Sequence, residues 1–478
     1  MNAPVFSFLE QAAAKWGKRT AIIEGEKKIT FSELYKDSLR LSRILISQVD
    51  LNGRGIGFVC SNSSRFVHGL FACSKAGGVV MPILPGTKGS EIEILLNDSS
   101  INIILAEKSS RFNFSIPAEK IGIDDEFDLY IFHGIKSQDI DAVFAGAAFI
   151  RPSSGTTGNS KGVVISHRAV FERTEAANDG LMLNEESIML WVLPMAFHFV
   201  VSILLYVRYG VCMVISEDFA ASNIVTLANR YRATHLYASP LHFRLLASEK
   251  SELKFETLTT TISTSALLEP SVSRDFYNKY GITASQAYGI IEIGLPFING
   301  ESGNKKSESI GKALPQYKAA ILDDAMRELP HGAKGAFAIK GPGMFSGYLW
   351  PAKKVEDVLV DSWFLTGDIA EMDEDGFVFI KGRSKSMINV SGNKVFPEEV
   401  ETILMMQQSI EDARVYGGSH PVTGEIVEAE IVLKPGATKN TEEIISFCRE
   451  YLLPYKIPQR IIFVEEIAKT KTGKISRM

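Results

Sequence analysis

"RPSSGTTGNSKG", Arg151–Gly162, lies between "AAFI" and "VVISHRAV", the first an apolar run of strand character. Gly155 and Gly158 let the backbone turn its N–H groups toward an anion. The hydroxyls of Ser153, Ser154, Thr156 and Thr157 add donors, and Lys161 adds a positive charge. By composition this is a phosphate cradle in a turn. It is not a Walker loop, because the lysine falls three residues after Gly158 and is followed by glycine. "GPGMFSG" is one residue too long for a dinucleotide fingerprint. Taken alone, such a cluster of Ser, Thr and Gly is equally a plain loop, so the rest of the chain must decide.

Outward from the loop, the pattern is that of a parallel sheet. "TFSELYKDSLRLSRIL" opens with Thr30 and Glu33, a capping box, and continues with helical periodicity. "GIGFVC", "SSRFVHGLFACSKAG" and "GVVMPI" read as strand, helix and strand. "GVCMVIS", "ASNIVTLANRYRA" and "THLYAS" repeat that order. The sequence predicts α/β layers with more than one sheet up to residue 383. After Asp361 the texture changes: "MDEDGFVFIKGR" carries an Asp-Gly turn between short strands, and Pro397-Glu398-Glu399 starts a helix. "ARVYGG", "VEAEIVLK" and "RIIFVEE" alternate as strands with the helix "TEEIISFCREYL". The expectation is a large N-terminal α/β domain over 1–383 and a small α+β domain over 384–478.

A chain of 478 residues exceeds one ordinary core. Hydrophobic content of 45% with 22% charged residues is that of a globular protein. A net charge of −5 argues against nucleic acid as the main partner. Cys60, Cys73, Cys212 and Cys448 match no zinc or redox spacing and read as structural thiols. No signal peptide is read at the N-terminus. "AFHFVVSILLYVRYGVCMVI" is interrupted by His198, Arg208 and Gly210, so it reads as a buried helix entering a strand rather than a membrane span. The expected setting is cytoplasmic.

Further motifs settle the reading of the loop. "SQAYGIIEIG" sets Tyr288 beside Gly289 with Glu292 following; "WFLTGDIA" holds Asp368; "IKGRSKSMINVSGNKVFPEEVE" holds Arg383 and Lys385; "IAKTKTGKISRM" ends the chain with Lys474. In this order, from about Phe6 to Lys474, the chain resembles the adenylate-forming superfamily of acyl-CoA synthetases, luciferases and peptide-synthetase adenylation domains. The resemblance implies that a carboxylate is joined to the α-phosphorus of ATP, releasing pyrophosphate, and that a thiol then displaces AMP. A carboxylate attacking a polyanion is repelled, so cations and oriented donors must lower the barrier.

The resemblance implies these roles. Ser153–Lys161 would hold the β- and γ-phosphates, and Glu292 would ligate Mg²⁺. Tyr288 would stack on adenine, with Gln286, Ser265 and Ala266 nearby. Asp368 would bind the ribose hydroxyls with help from Arg383. Lys474, which alone reads as a solvated basic tail, would bridge the attacking carboxylate and the α-phosphate. Lys385 would be the hinge of a mobile C-terminal domain, and Ser391, Gly392 and Asn393 would open the thiol channel. Coenzyme A or the phosphopantetheine of a carrier protein would be the acceptor, and the chain would act as a monomer or homodimer.

Two departures stand out. The family's usual threonine before the glutamate is Ile291, which has no hydroxyl to donate. The family's S-G-G-A-P is "STSALL" here, with Thr264 and Ser265 in place of glycines, an expected narrowing of the acyl channel. In "LPMAFHFVVSILL", His198 stands where amino-acid-activating relatives carry an aspartate. With Phe199, Val200, Val201, Leu204 and Leu205 around it, an α-amino acid is disfavoured and a fatty or aromatic acid fits. His198 reads as the gate of the acid pocket or as a satisfied core histidine. A nucleotide-binding pseudoenzyme remains the alternative from a different class.

Overall fold

The strand–helix–strand units build two large sheets, seen in a computed structural model that describes residues 4–152, 161–216, 218–300, 303, 305–390, 393–420, 424–469 and 475. Among the described residues the first sheet has nine strands. Their order is Lys27–Thr30, Thr20–Glu24, Cys212–Ile215, Ile188–Trp191, His235–Ala238, Thr260–Ser263, Ala284–Ile290, Gly294–Ile298 and Lys312–Ala313. From Thr20–Glu24 to Ala284–Ile290 the pairings are parallel. Antiparallel strands close both edges. Leu190, Val214, Leu236 and Ala238 pack on Ile224, Val225, Phe243, Leu246 and Phe276 from the covering helices. Each of the larger of these buried side chains contributes about 1.5–3 kcal/mol.

The second sheet runs Lys353–Lys354, Gly347–Tyr348, Gly162–Ser166, Ala147–Pro152, Val79–Ile83, Gly55–Val59, Ile103–Glu107, Phe127–Phe132 and Ala118–Gly122. Its centre is parallel. The phosphate-loop segment therefore connects two neighbouring antiparallel strands, Ala147–Pro152 and Gly162–Ser166. The capping box forms as read: Thr30 N–H donates to the Glu33 carboxylate at 2.8 Å and Glu33 N–H to the Thr30 hydroxyl at 3.2 Å.

Contacts divide the chain into two compact units. One comprises Met1–Ser153, Lys161–Lys318 and Lys340–Ser362; the other includes Ala319–Ile339 and Trp363–Met478. The second unit holds most of the sheet Lys318–Leu322, Gly335–Lys340, Phe364–Met372 and Val378–Arg383, the last two joined by a turn at Gly376 with φ 84°. It also contains a sheet of Asn393–Val395, Ile388–Val390, Gly424–Leu433 and Ile410–His420, with Arg460–Phe463 paired to Gly424–Leu433. Helices Pro397–Met406 and Thr441–Tyr451 bury Val400, Leu404, Ile444 and Cys448 against Val415, Ala429 and Ile431.

The long apolar stretch is more broken than its sequence predicts. Helix Met195–His198 passes through a π turn, Phe199–Ile203, into helix Leu204–Tyr209 and then strand Cys212–Ile215. Among the described residues no helix is long and apolar enough to cross a membrane. All four cysteines are free thiols, and burial pushes Cys212 and Cys448 up to about 11.

Candidate functional site

Parallel strands present all their carboxyl ends on one side, where α/β sheets bind ligands. In the first sheet the segments leaving Ile188–Trp191, Thr260–Ser263 and Ala284–Ile290 carry His198, Ser265 and Glu292. His198 has left helical geometry, with φ −123° and ψ 18°. Its Nε2 lies 3.5 Å from Ser265 Oγ, so the histidine expected at the acid pocket meets the loop expected beside adenine. Beneath it, Trp191 stacks on Tyr237 at 6.0 Å and takes Tyr206 edge-on at 5.9 Å, an aromatic floor. Burial raises the pKa of both tyrosine hydroxyls.

Ser265 occupies the left-handed region at φ 77°, a conformation that costs a residue with a Cβ about 1 kcal/mol or more. Thr264 is buried and donates its N–H to Ala238 O at 3.0 Å. Ala266 is exposed. Gln286 is buried and braces this loop: its Oε1 accepts from Leu268 N–H at 2.8 Å, and its Nε2 donates to the carbonyls of Ser307 and Ser309. Tyr288 is half-buried and pairs across the strands with Phe297, ring centroids 6.2 Å apart. Gly289 is sterically required, since a Cβ there would come 2.7 Å from Gly294 O.

A second group gathers at Lys161 and Gly162, where the described chain resumes after Pro152. Lys161 Nζ lies 4.2 Å from the Tyr348 ring centre, and the Tyr348 hydroxyl donates to Glu292 Oε1 at 3.0 Å. Burial, and then the Glu292 carboxylate, push the Tyr348 hydroxyl far above its ordinary range. Gly162 has no room for a side chain, because the Trp350 indole lies 2.0 Å from where a Cβ would stand. Leu349 N–H donates to Gly162 O at 2.7 Å, locking the loop's exit.

Arg173, unforeseen in the sequence, holds Glu292 in place. Its guanidinium donates to Ile291 O and Glu292 O, each at 2.7 Å, and to Gly343 O. Phe345 N–H also donates to Glu292 O, at 2.8 Å. Burial lowers the Arg173 pKa to about 10. A signal existed: Ala169, Val170, Arg173, Ala176, Ala177 and Leu181 form the buried stripe of helix His167–Leu181, so helical phase puts this arginine inside. Tyr348 had no such signal.

In the second unit, Asp368 and Arg383 are partners on adjacent strands, with Arg383 Nε 2.8 Å from Asp368 Oδ1. Asp368 is buried, its N–H bonded to Thr366 Oγ1 at 3.0 Å, and Gly367 takes φ 78° within the strand Phe364–Met372. Lys385 lies in the short turn Ser384–Ser386, and Asn393 Nδ2 donates to Val390 O at 3.2 Å. Ser153, Ser154, Gly155, Thr156, Thr157, Gly158, Ser391, Gly392 and Lys474 lie outside the described residues.

With this geometry in view, comparison with known proteins decides the classification. The family described as "AMP-binding enzyme" matches residues 9–349, and its C-terminal domain matches residues 399–474. The chain belongs to the AMP-binding enzyme family. It is 27% identical over 524 residues to a long-chain-fatty-acid–CoA ligase of Yersinia pestis, covering 99% of this chain and 93% of the relative. It is also 27% identical, over 484 residues, to the fatty acid–[acyl-carrier-protein] ligase ScoC of Streptomyces coeruleorubidus, covering 96% and 92%. ATP-bound MatB from Rhodopseudomonas palustris has the same fold, with a TM-score of 0.86 at 24% identity over 100% of this chain and 98% of that one.

Proposed function

We propose that this AMP-binding enzyme activates a hydrophobic carboxylic acid, fatty or aromatic, as acyl-AMP and transfers the acyl group to the thiol of coenzyme A. The observation that carries the reading is the contact of His198 with Ser265, which sets the acid segment against the adenine-side loop. The segment Phe197–Leu205 contains no carboxylate to neutralise a substrate ammonium, and its floor is aromatic. Tyr288 would stack on adenine, and Asp368 with Arg383 would hold the ribose. Lys161 and the Ser153–Gly158 segment would hold the outer phosphates.

The residues present fit Mg²⁺ held between protein and nucleotide. Among the described residues no cluster of three or more ligating side chains forms a cage, and Mg²⁺ commonly takes one carboxylate plus phosphate oxygens. Glu292 offers that carboxylate, fixed through its own carbonyl by Arg173. The ion would neutralise phosphate charge. Rotation about Lys385 would exchange Lys474 for the Ser391–Asn393 loop between half-reactions.

Carboxylate-dependent ATP–pyrophosphate exchange across acids from butanoate to hexadecanoate and from benzoate to cinnamate tests the reading. Exchange with apolar acids, and a thioester on adding coenzyme A, are expected. ATP binding without exchange for any acid would make the chain a pseudoenzyme. Transfer to a holo carrier protein but not to coenzyme A would favour the second acceptor, for which the Streptomyces relative speaks.

Ile291→Thr restores a hydroxyl beside Glu292. A hydrogen bond to a charged group is worth about 1.5–3 kcal/mol, so exchange should accelerate by roughly one order of magnitude or more. An unchanged rate would mean that another donor already serves the α-phosphate.

A further inference from the structure

Arg151 is a charged side chain with only 7% of its surface exposed, on the strand Ala147–Pro152 that runs directly into the phosphate-loop segment. Its Nη1 donates to the carbonyl of Phe197. The guanidinium carbon lies 5.7 Å from the Phe197 ring centre and 5.6 Å from that of Phe199, within the range of cation–π attraction. The two residues that flank His198 are therefore both held by one arginine. Phe149, two residues earlier on the same face of that strand, takes Phe199 edge-on at 4.8 Å.

This grip falls where the helix gives way. His198 is non-helical, and Val201 within the π turn has φ −100° and ψ 24°. Such turns interrupt the regular hydrogen-bond ladder and favour functional sites. The interruption leaves main-chain carbonyls in need of donors, and Arg151 supplies one to Phe197. Among the described residues no carboxylate forms an ion pair with Arg151. Burial lowers its pKa to about 10, and the neighbouring charge acting on it is the like-charged Arg173. A buried cation with a repulsive neighbour is costly, and aliphatic packing would be the cheaper way to fill that space.

We infer that Arg151 is a positioning residue that fixes the Phe197–Phe199 segment, and with it His198, on the strand that carries the phosphate loop. This rests on the proposed role of His198 in the acid pocket. The gate for the acid and the cradle for the nucleotide are then set by one strand, through a fork that grips a carbonyl and two rings together. A lysine cannot reproduce the planar fork, although it keeps the charge.

The test compares Arg151→Met and Arg151→Lys with the unaltered enzyme. The readouts are MgATP affinity by calorimetry, KM and kcat for the best acid of the panel, and the ring signal of His198 by NMR, assigned with His198→Gln. Arg151→Met should raise the acid KM at least about tenfold, as a displaced positioning group does, and shift the His198 signal. The MgATP dissociation constant should stay within about twofold, and Arg151→Lys should recover part of the acid KM. Weakened MgATP binding with an unchanged acid KM would make Arg151 a phosphate ligand and overturn the inference. An unmoved His198 signal would also overturn it. Should Arg151→Met not fold, Arg151→Lys carries the same comparison, with a smaller shift expected. If the unaltered enzyme activates no acid, the proposed function fails, while the His198 signal still decides the positioning role.

Discussion

Lys474→Ala is expected to slow acid-dependent ATP–pyrophosphate exchange by at least about a hundredfold, a barrier increase of about 2.7 kcal/mol. Thioester formation from pre-made acyl-adenylate should continue at close to the unaltered rate. The reaction joins two anions, and the negative charge that develops around the α-phosphorus needs a cation made effective in the transition state. Among the described residues, three positive groups named for the site already have other partners. Lys161 lies over Tyr348, Arg383 pairs with Asp368, and Arg173 is bonded to three carbonyls. A lysine on a domain that the proposed rotation about Lys385 would carry away suits a group needed in one half-reaction and in the way during the next. Pulsed assays of the two half-reactions decide the matter. Equal loss in both would contradict alternation of the C-terminal domain, and unchanged exchange would return Lys474 to the status of a solvated tail residue.

Much of the scaffold was legible because its signals are local. The Thr30–Glu33 box starts the helix Phe31–Gln48, and Pro397 with two acids starts Pro397–Met406. Alternating strand and helix patterns located the parallel cores of both large sheets, and the order of motifs gave the family. What stayed hidden depends on non-local contact. The apolar run after Pro194 reads as one helix, yet a π turn divides it, and its surroundings include a guanidinium from another strand. Gln286 is expected beside adenine; that its amide also links two loops is fixed by residues 18 to 23 positions away. Arg151 appears in the sequence as an ordinary charge, and the helical phase that puts Arg173 inside does not say what it bonds; burial among carbonyls and rings reveals their work.

Arg173→Met is expected to cost about 3–5 kcal/mol of stability, the range for removing one partner from a buried charged network. Methionine fills much of the same volume but donates nothing, so the carbonyls of Ile291, Glu292 and Gly343 lose their shared donor. Relief of the guanidinium's own desolvation offsets part of that loss, which keeps the net below the sum of three charged hydrogen bonds at about 1.5–3 kcal/mol each. Urea unfolding followed by intrinsic fluorescence should show the midpoint falling with little change in slope, as expected when the extent of exposed surface is preserved. Activity should fall further than stability explains. Glu292 would retain its carbonyl bond from Phe345 and its carboxylate bond from Tyr348 but lose the fork that fixes the turn between them. At a temperature where the variant remains folded, pyrophosphate exchange should drop by about tenfold or more, through misplacement of the carboxylate. Arg173→Lys should recover little, because one ammonium cannot reach three carbonyls in the geometry of a planar fork. A Met variant with an unchanged midpoint and unchanged exchange would show that Phe345 and Tyr348 alone hold Glu292. A lowered midpoint with full exchange in the folded fraction would make Arg173 a core residue without influence on the carboxylate it surrounds.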